Sequence, residues 1–372
     1  MKRNRLVAIV SAISLTAGIL FTSCHDNIYA LIEKEVAIDN SGLNGDISRI
    51  VRSGNHLFLA NGRVYGKENK PLSQIGRGNW KSLSMPVSGS SDFNVSNRVD
   101  WLAADDTYVY ALASFYEEDD NGANDNYKRQ VYAADASDFP ALKWQLVEGT
   151  TGNIPHTKII FDNQASSGRN AYVTLNGKVC KLSGTTAPTP ETISSTYCIG
   201  DTTSSAIMNC VKFKGKDYFS KYYALTANDT FIYYTETYTS GSTNSANYAD
   251  TIYYTDNPSA GTTGNFNTHS GVLCLTLTKD YLFYGTTGGL ERTLLDAEKK
   301  PIAVHSFGNN GNSVISEHVY MVYAYDQNEP MANTDLYCAS TIYASISSSS
   351  DSYENIGLYA CPAGSDWNRD GD

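Results

Sequence analysis

A chain of 372 residues with 18% charged side chains and a formal net charge of −11 lacks the clustered Lys and Arg that nucleic-acid phosphates demand. The same acidity argues against electrostatic docking on an anionic bilayer. Abundant Ser, Thr, Asn and Gly, together with 27 Tyr, suit an exported all-β protein.

Residues 1–23 have the layout of a secretory signal. Lys2, Arg3 and Arg5 are basic, Leu6 to Phe21 are mainly apolar, and Thr22-Ser23-Cys24 closes the stretch with two small residues and a thiol. The apolar run is short for a membrane span, and no other stretch is long and apolar enough to be one. Leu20-Phe21-Thr22-Ser23-Cys24 resembles a bacterial lipobox, with its Leu one place earlier than usual, as spirochaetal lipoproteins tolerate. That resemblance implies lipidation of Cys24 after cleavage. The plain alternative is a secretory signal with an incidental Cys. Loss of 1–23 removes three positive charges and leaves a formal charge of −14. The membrane partner is then reached through lipid alone, each acyl methylene adding roughly 0.8 kcal/mol.

Residues 24–46 form a tether. Within it, Ile28, Leu31, Ile32 and Val36 fall at helical spacing, which predicts a short amphipathic helix. Packing on the domain is its simplest role, and holding a partner is the other.

Residues 47–372 repeat one theme: an apolar strand, a Tyr- or Phe-bearing strand, a turn, a second Tyr-bearing strand, and an aromatic beside a polar turn. The copies centre on Leu57–Tyr65, Tyr108–Ala133, Tyr172–Cys180, Phe231–Thr255, Tyr281–Leu290 and Thr341–Ala360. Asn61-Gly62 and Asn176-Gly177 lie between apolar runs, and both residue types tolerate the positive φ of a tight hairpin. Tyr281-Leu282-Phe283-Tyr284-Gly285-Thr286-Thr287-Gly288-Gly289-Leu290 is the shortest copy, and its glycines are assigned to the turn. Further apolar runs, 47–51, 99–103, 159–161, 272–277 and 319–325, supply first strands.

Six units of about fifty to sixty residues, with about four strands each, describe a single all-β propeller. A seventh blade fits if 301–345 hides a further unit, and 185–209 reads as too polar to be one. A pair of sandwiches or a β-helix is the alternative, and the long hairpin repeats disfavour the latter. The pattern Φ-Tyr-Φ-Ala/Gly, Gly-Leu/Val-Tyr, Trp resembles propellers of the sialidase-repeat and photosystem-assembly-factor type. Together with the loose lipobox and the Ile32-Glu33-Lys34-Glu35-Val36 tether, the chain is similar to the propeller lipoproteins of treponemes. The resemblance implies a fold and a membrane anchor; it implies no active site and no cofactor.

Six cysteines follow Cys24: Cys180, Cys198, Cys210, Cys274, Cys338 and Cys361. Fifteen pairings are formally open. Cys180, Cys274 and Cys338 lie inside predicted strands, where a thiol packs as a small hydrophobe. Cys198 and Cys210 flank a polar loop and are the best candidates for a bridge. No spacing matches a zinc site.

Chemistry is thin. Sialidase-type hydrolysis needs converging arginines, and Arg49, Arg52, Arg63, Arg77, Arg98, Arg129, Arg169, Arg292 and Arg369 are scattered. Asp366, Asn368 and Asp370, followed by Gly371, match the first half of an EF-hand loop. The twelfth position would fall past Asp372, so a closing strand and turn is the better reading. Glu117–Gly122 is more acidic, but Lys128 stands where a calcium loop needs Glu, and a solvated hairpin tip is expected. His56, His156, His269, His305 and His318 form no motif. The expected function is a lipid-anchored envelope module that binds or scaffolds without catalysis, through loops 117–128, 185–209, 240–250 and 345–355. The competing class is an enzyme acting on glycans or peptidoglycan fragments, for which carboxylates should converge with Arg or His at the axial mouth.

Overall fold

The computed structural model of the chain describes residues 43, 47–87, 98–117, 126–150, 160–200, 207–238, 247–306, 318–344, 353–363, 365 and 367–369. The signal stretch, Cys24, the helix expected at 28–36, and Asp366 and Asp370 lie outside them.

Among the described residues, seven sheets of three or four strands succeed one another along the chain and are the blades of a propeller, with a two-stranded extension, Thr237–Tyr238 with Asn247–Tyr248, in the fifth. Blade 1 runs Arg49–Ser53, His56–Ala60, Val64–Glu68 and Lys81–Ser82, each strand antiparallel to the one before. Blade 2 repeats that order from Arg98–Ala104 to Gln145–Leu146, and blade 3 from Ile160–Asp162 to Thr189–Pro190. Blade 5 spans Ala224–Ala227 to Gly264–Asn267, blade 6 Val272–Leu277 to Pro301–Ser306, and blade 7 Val319–Ala324 to Asn368–Arg369.

Blade 4 is the seventh unit, and it sits in the middle of the chain instead of within 301–345. Its inner strand Asn209–Phe213 pairs antiparallel with Lys216–Ser220. Its third strand, Cys198–Ile199, comes from the segment before the inner strand and therefore runs parallel to Lys216–Ser220. The 185–209 stretch is too polar for a full blade, yet it supplies the outer strand of blade 3 and the outer strand of blade 4.

Strand alternation explains how one sheet serves two neighbours. Successive side chains point to opposite faces, so in the second strand of blade 1 Phe58 and Ala60 pack toward blade 2, while Leu57 and Leu59 pack toward blade 7. Seven apolar clusters fill the seven junctions in this way. The paired tyrosines obey the same rule. Tyr233 faces blade 6, whereas Tyr234 faces blade 4 and stacks on Tyr253 at 5.6 Å.

The junction between blades 7 and 1 closes the ring, and among the described residues no strand of one end is paired into the other end's sheet. Side chains do the work. Leu43 and Ile47, ahead of the first strand, are buried there with Leu59, Tyr337 and Leu358. Lys67, 1% exposed, places its ammonium 4.4 Å from both the Trp80 and Tyr337 ring centres. Asp335 of blade 7 accepts from the Leu72 amide at 2.6 Å, and the Tyr325 hydroxyl donates to the Asn69 carbonyl at 3.1 Å.

Turn chemistry meets expectation at one Asn-Gly and departs at the other. Asn176 (φ +47°) and Gly177 (φ +73°) make the two-residue turn between Leu175 and Lys178. At Asn61-Gly62 the loop has three residues, and Gly62 (φ +87°) accepts at its carbonyl from the Val99 amide, stitching blade 1 to blade 2. The glycines of 281–290 divide the labour. Gly289 (φ +124°) serves the turn, but Gly285 lies within a strand, where a Cβ would come within 2.4 Å of the Val319 carbonyl oxygen of blade 7. Gly285 is there for close blade contact, not for the turn.

The expected Cys198–Cys210 bridge does not form, and both thiols are free and buried. Both residues register with Phe219, one from each side of the middle strand. Two strand spacings separate their backbones by roughly 10 Å, beyond the ~7 Å reach of a disulfide. Burial pushes both thiols above their ordinary value, so they stay neutral as packing groups.

Candidate binding channel

The first strand of each blade lies nearest the propeller axis. Together these strands and their hairpins enclose a cavity of about 580 Å³ with contributions from all seven blades. That volume is in the range of small-ligand sites.

Charged residues that end or interrupt the inner-strand runs face this space. Arg49 and Arg52 come from blade 1, Arg169 from the first hairpin of blade 3, Lys212 and Lys214 from blade 4, and Lys279 and Lys299 from blade 6. Against these seven cations, the lining carries two carboxylates, Asp229 and Asp326. The channel is thus a basic interior in an acidic chain.

Asp162, fully buried at the end of the blade 3 inner strand, organises part of that charge. Its Oδ1 accepts from Arg49 Nη2 at 3.1 Å, Arg169 Nη1 at 3.2 Å and the Gln164 amide at 2.9 Å. Its Oδ2 accepts from the Ala104 amide at 3.2 Å. The Arg169 Nε also donates to the Ala165 carbonyl at 3.0 Å, and the Arg49 guanidinium lies 5.8 Å from the Trp101 ring centre. Two guanidiniums share one carboxylate, which leaves a net positive charge held in fixed geometry.

The remaining cations are held differently. Among the described residues, no carboxylate lies within ion-pair distance of Arg52, Lys212, Lys214, Lys279 or Lys299. Lys212 donates to the Gly168 carbonyl at 2.8 Å, Lys214 to that of Asp256 at 3.1 Å, and Lys299 to that of Lys279 at 2.7 Å. Backbone carbonyls position these ammonium groups without cancelling their charge.

Aromatic hydroxyls complete the wall. Tyr222 and Tyr223 lie in the connection between Lys216–Ser220 and Ala224–Ala227, not on a strand as their pattern suggests, yet they still face different ways. Tyr222 stacks on Tyr234 at 5.2 Å between blades 4 and 5, whereas Tyr223 faces the channel. Burial pushes the Tyr223 phenol up to about 12, with Arg49 pulling the other way. Burial also raises Tyr323, against the pull of Arg169 and Arg52. Both phenols are neutral hydrogen-bonding groups at physiological pH.

The structure therefore brings together Arg49, Arg52 and Arg169, which the sequence leaves scattered, and keeps Arg63, Arg77, Arg98, Arg129 and Arg292 off the channel. A signal for the convergence does exist. Arg49 and Arg52 flank apolar residues of one inner-strand run, and Asp162 directly follows another. Among the described residues, no histidine lines the channel. His56 stacks on Phe139 at 4.5 Å, and His269 pairs with Glu291 at 3.1 Å. Of the acidic half-loop at the C-terminus, Asn368 lies in the closing strand Asn368–Arg369, whereas Asp366 and Asp370 lie outside the described residues, as do 118–125, 239–246 and 345–352 of the expected loops. Among the described residues, no cluster of three or more His, Cys, Asp or Glu could hold a metal ion, and no helix is long and apolar enough to cross a membrane.

Fold and channel together define a seven-bladed propeller with a basic axial cavity. The chain belongs to the TP013X lipoprotein family, whose pattern it matches over residues 1–263. Two uncharacterized lipoproteins of Treponema pallidum (strain Nichols) are similar to it. One is 33% identical over 105 residues, covering 28% of this chain, and the other 30% identical over 128 residues, covering 33%. Each match spans a quarter of the relative's own length. Among solved structures, prolyl oligopeptidase B from Galerina marginata aligns with 88% of this chain and 51% of its own, at 8% identity and a TM-score of 0.46.

Proposed function

We propose that the protein is a lipid-anchored binding module of the cell envelope, acylated at Cys24, that displays recognition loops from a rigid ring without catalysis of its own. Membership of a lipoprotein family supports the anchor. The observation that carries the display reading is topological. In a meander of identical sense, the connections between second and third strands leave one face of every blade but the fourth. The long polar connections of blades 2, 5 and 7 (118–125, 236–250 and 345–352) occupy that position, so three of the four loops expected to reach a partner start from the same face.

The converging arginines are the observation that favours an enzyme instead. Asp162, the carboxylate at their centre, is fully buried and accepts from four donors. It is engaged as a structural anchor, without the free lone pairs that a general base needs at a substrate. That supports binding over hydrolysis.

Crosslinking in intact envelopes tests the reading. The wild-type chain is expected to partition with membranes and to capture a partner. Cys24→Ser should partition into the aqueous phase, and shortening 118–125, 239–246 and 345–352 should abolish capture while leaving membrane association intact. An unchanged crosslink pattern after loop shortening, or membrane retention of Cys24→Ser, overturns it.

A further inference from the structure

We propose that the axial cavity is a binding site for a small hydroxylated organic anion, a sugar acid or sugar phosphate, recognised through Arg52 and the Arg49–Arg169 pair. The inference rests on the binding-module reading and names a ligand class for the side of the ring away from the long loops.

Charge asymmetry is the first support. A chain of formal charge −11 would by chance place acidic side chains in its cavity, yet the lining holds seven cations and two acids. Self-repulsion among cations in a partly enclosed space is costly unless an anion offsets it. Five of these cations have no carboxylate partner among the described residues.

Geometry is the second. Arg52, Arg169, Lys212, Lys214, Lys279 and Lys299 lie at inner-strand ends or in first- and third-position hairpins, which share one face of the ring. Their charge focuses at one mouth, opposite the face from which 118–125, 239–246 and 345–352 leave. Asp162 holds Arg49 and Arg169 in place through one terminal nitrogen each, at 3.1 and 3.2 Å. Arg49 lines the cavity and makes no other polar contact among the described residues. Planar guanidiniums fixed in this way match the paired oxygens of a carboxylate or phosphate.

The neutral part of the wall selects the rest of the ligand. The Asn209 and Asn228 amides are engaged by partners within the protein, while Tyr223, Tyr323 and Gln164 place hydroxyl and amide groups between the cations. Such groups hydrogen-bond a polyol, and tyrosine rings present flat faces to a sugar ring. A cavity of about 580 Å³ admits a mono- or disaccharide.

Isothermal titration of the full chain in detergent micelles, at low ionic strength, provides the test. The probes are glucuronate, glucose 6-phosphate, inorganic phosphate and neutral glucose. Glucuronate or glucose 6-phosphate should bind, glucose should not, and high salt should weaken the binding. Preference between the two anionic sugars assigns carboxylate or phosphate, and stronger binding of inorganic phosphate than of either sugar removes the polyol part of the proposal. Arg52→Gln should lower affinity roughly 10- to 100-fold, the worth of a charge-assisted hydrogen bond. Should Arg52→Gln fail to fold by circular dichroism, the exposed pair Lys214→Gln and Lys279→Gln replaces it, with a several-fold loss expected. Equal binding of glucose and glucuronate, no binding of any anion, or undiminished binding by the folded variants overturns the inference. Because partner capture in envelopes is read separately, loss of anion binding with capture retained sinks this inference alone.

Discussion

The blade junctions and the axial wall are built from the same strands but obey opposite rules. Every junction is an apolar cluster fed by alternate residues of two neighbouring sheets. The wall is formed where that alternation is broken by charge, as at Arg49, Arg52 and Lys212. Junction residues are interchangeable in kind from blade to blade. Wall residues are not: blades 1, 3, 4 and 6 bring cations, and blade 2 brings Trp101. Repetition therefore accounts for stability, and departure from it accounts for the chemistry of the cavity.

The largest break in that contrast comes from Asp162→Ala. Two guanidiniums would lose their shared carboxylate in a buried setting, and the Ala104 and Gln164 amides would lose an acceptor. We expect a loss of about 3–5 kcal/mol, read from the urea midpoint. A junction broken by overpacking should cost less. Gly285→Ala sets a methyl against the Val319 carbonyl oxygen and the Cys274 sulfur, at 2.4 and 2.6 Å, and should destabilise by about 1–3 kcal/mol with an unchanged far-ultraviolet spectrum.

The closing junction gives a subtler test, because it buries a cation, Lys67, between two aromatic rings. Trp80→Leu removes one of the two rings facing Lys67 and should cost about 1–2 kcal/mol in the same denaturation experiment. The smallest effect is one of pH. Burial beside Phe139 holds His56 below its ordinary value, against the opposing influence of Glu68. The unfolded chain then binds the proton more readily. Stability is full above about pH 6.5 and falls as pH drops through the folded-state value. His56→Gln should flatten the fall between pH 8 and pH 5 relative to wild type.

Legibility in the sequence follows the same divide. Thr251–Thr255 and Val272–Leu277 are strands with the bounds their apolar pattern implies, and the tyrosine pairs that lie on strands split between faces as strand alternation requires. Blade 4 was hidden because its third strand is two residues long and precedes its own inner strand, so it lacks the repeat's order. The cysteine pair misled because chain proximity to a polar loop says nothing of the strand lying between Cys198 and Cys210. The arginine convergence is invisible to spacing, since 113 residues separate Arg49 from its partner Asp162. Only closure of the ring makes them neighbours.

That closure has a consequence for how such chains diversify. Each blade is a continuous run of sequence, and among the described residues the ends meet through side chains with no interlocked strand between them. Duplicating or deleting one blade would therefore add or remove a single contact surface and unthread nothing. Ring size is set by how the wedges fit, as in a masonry arch, where each stone is held by its neighbours and the last differs from the rest only in being placed last.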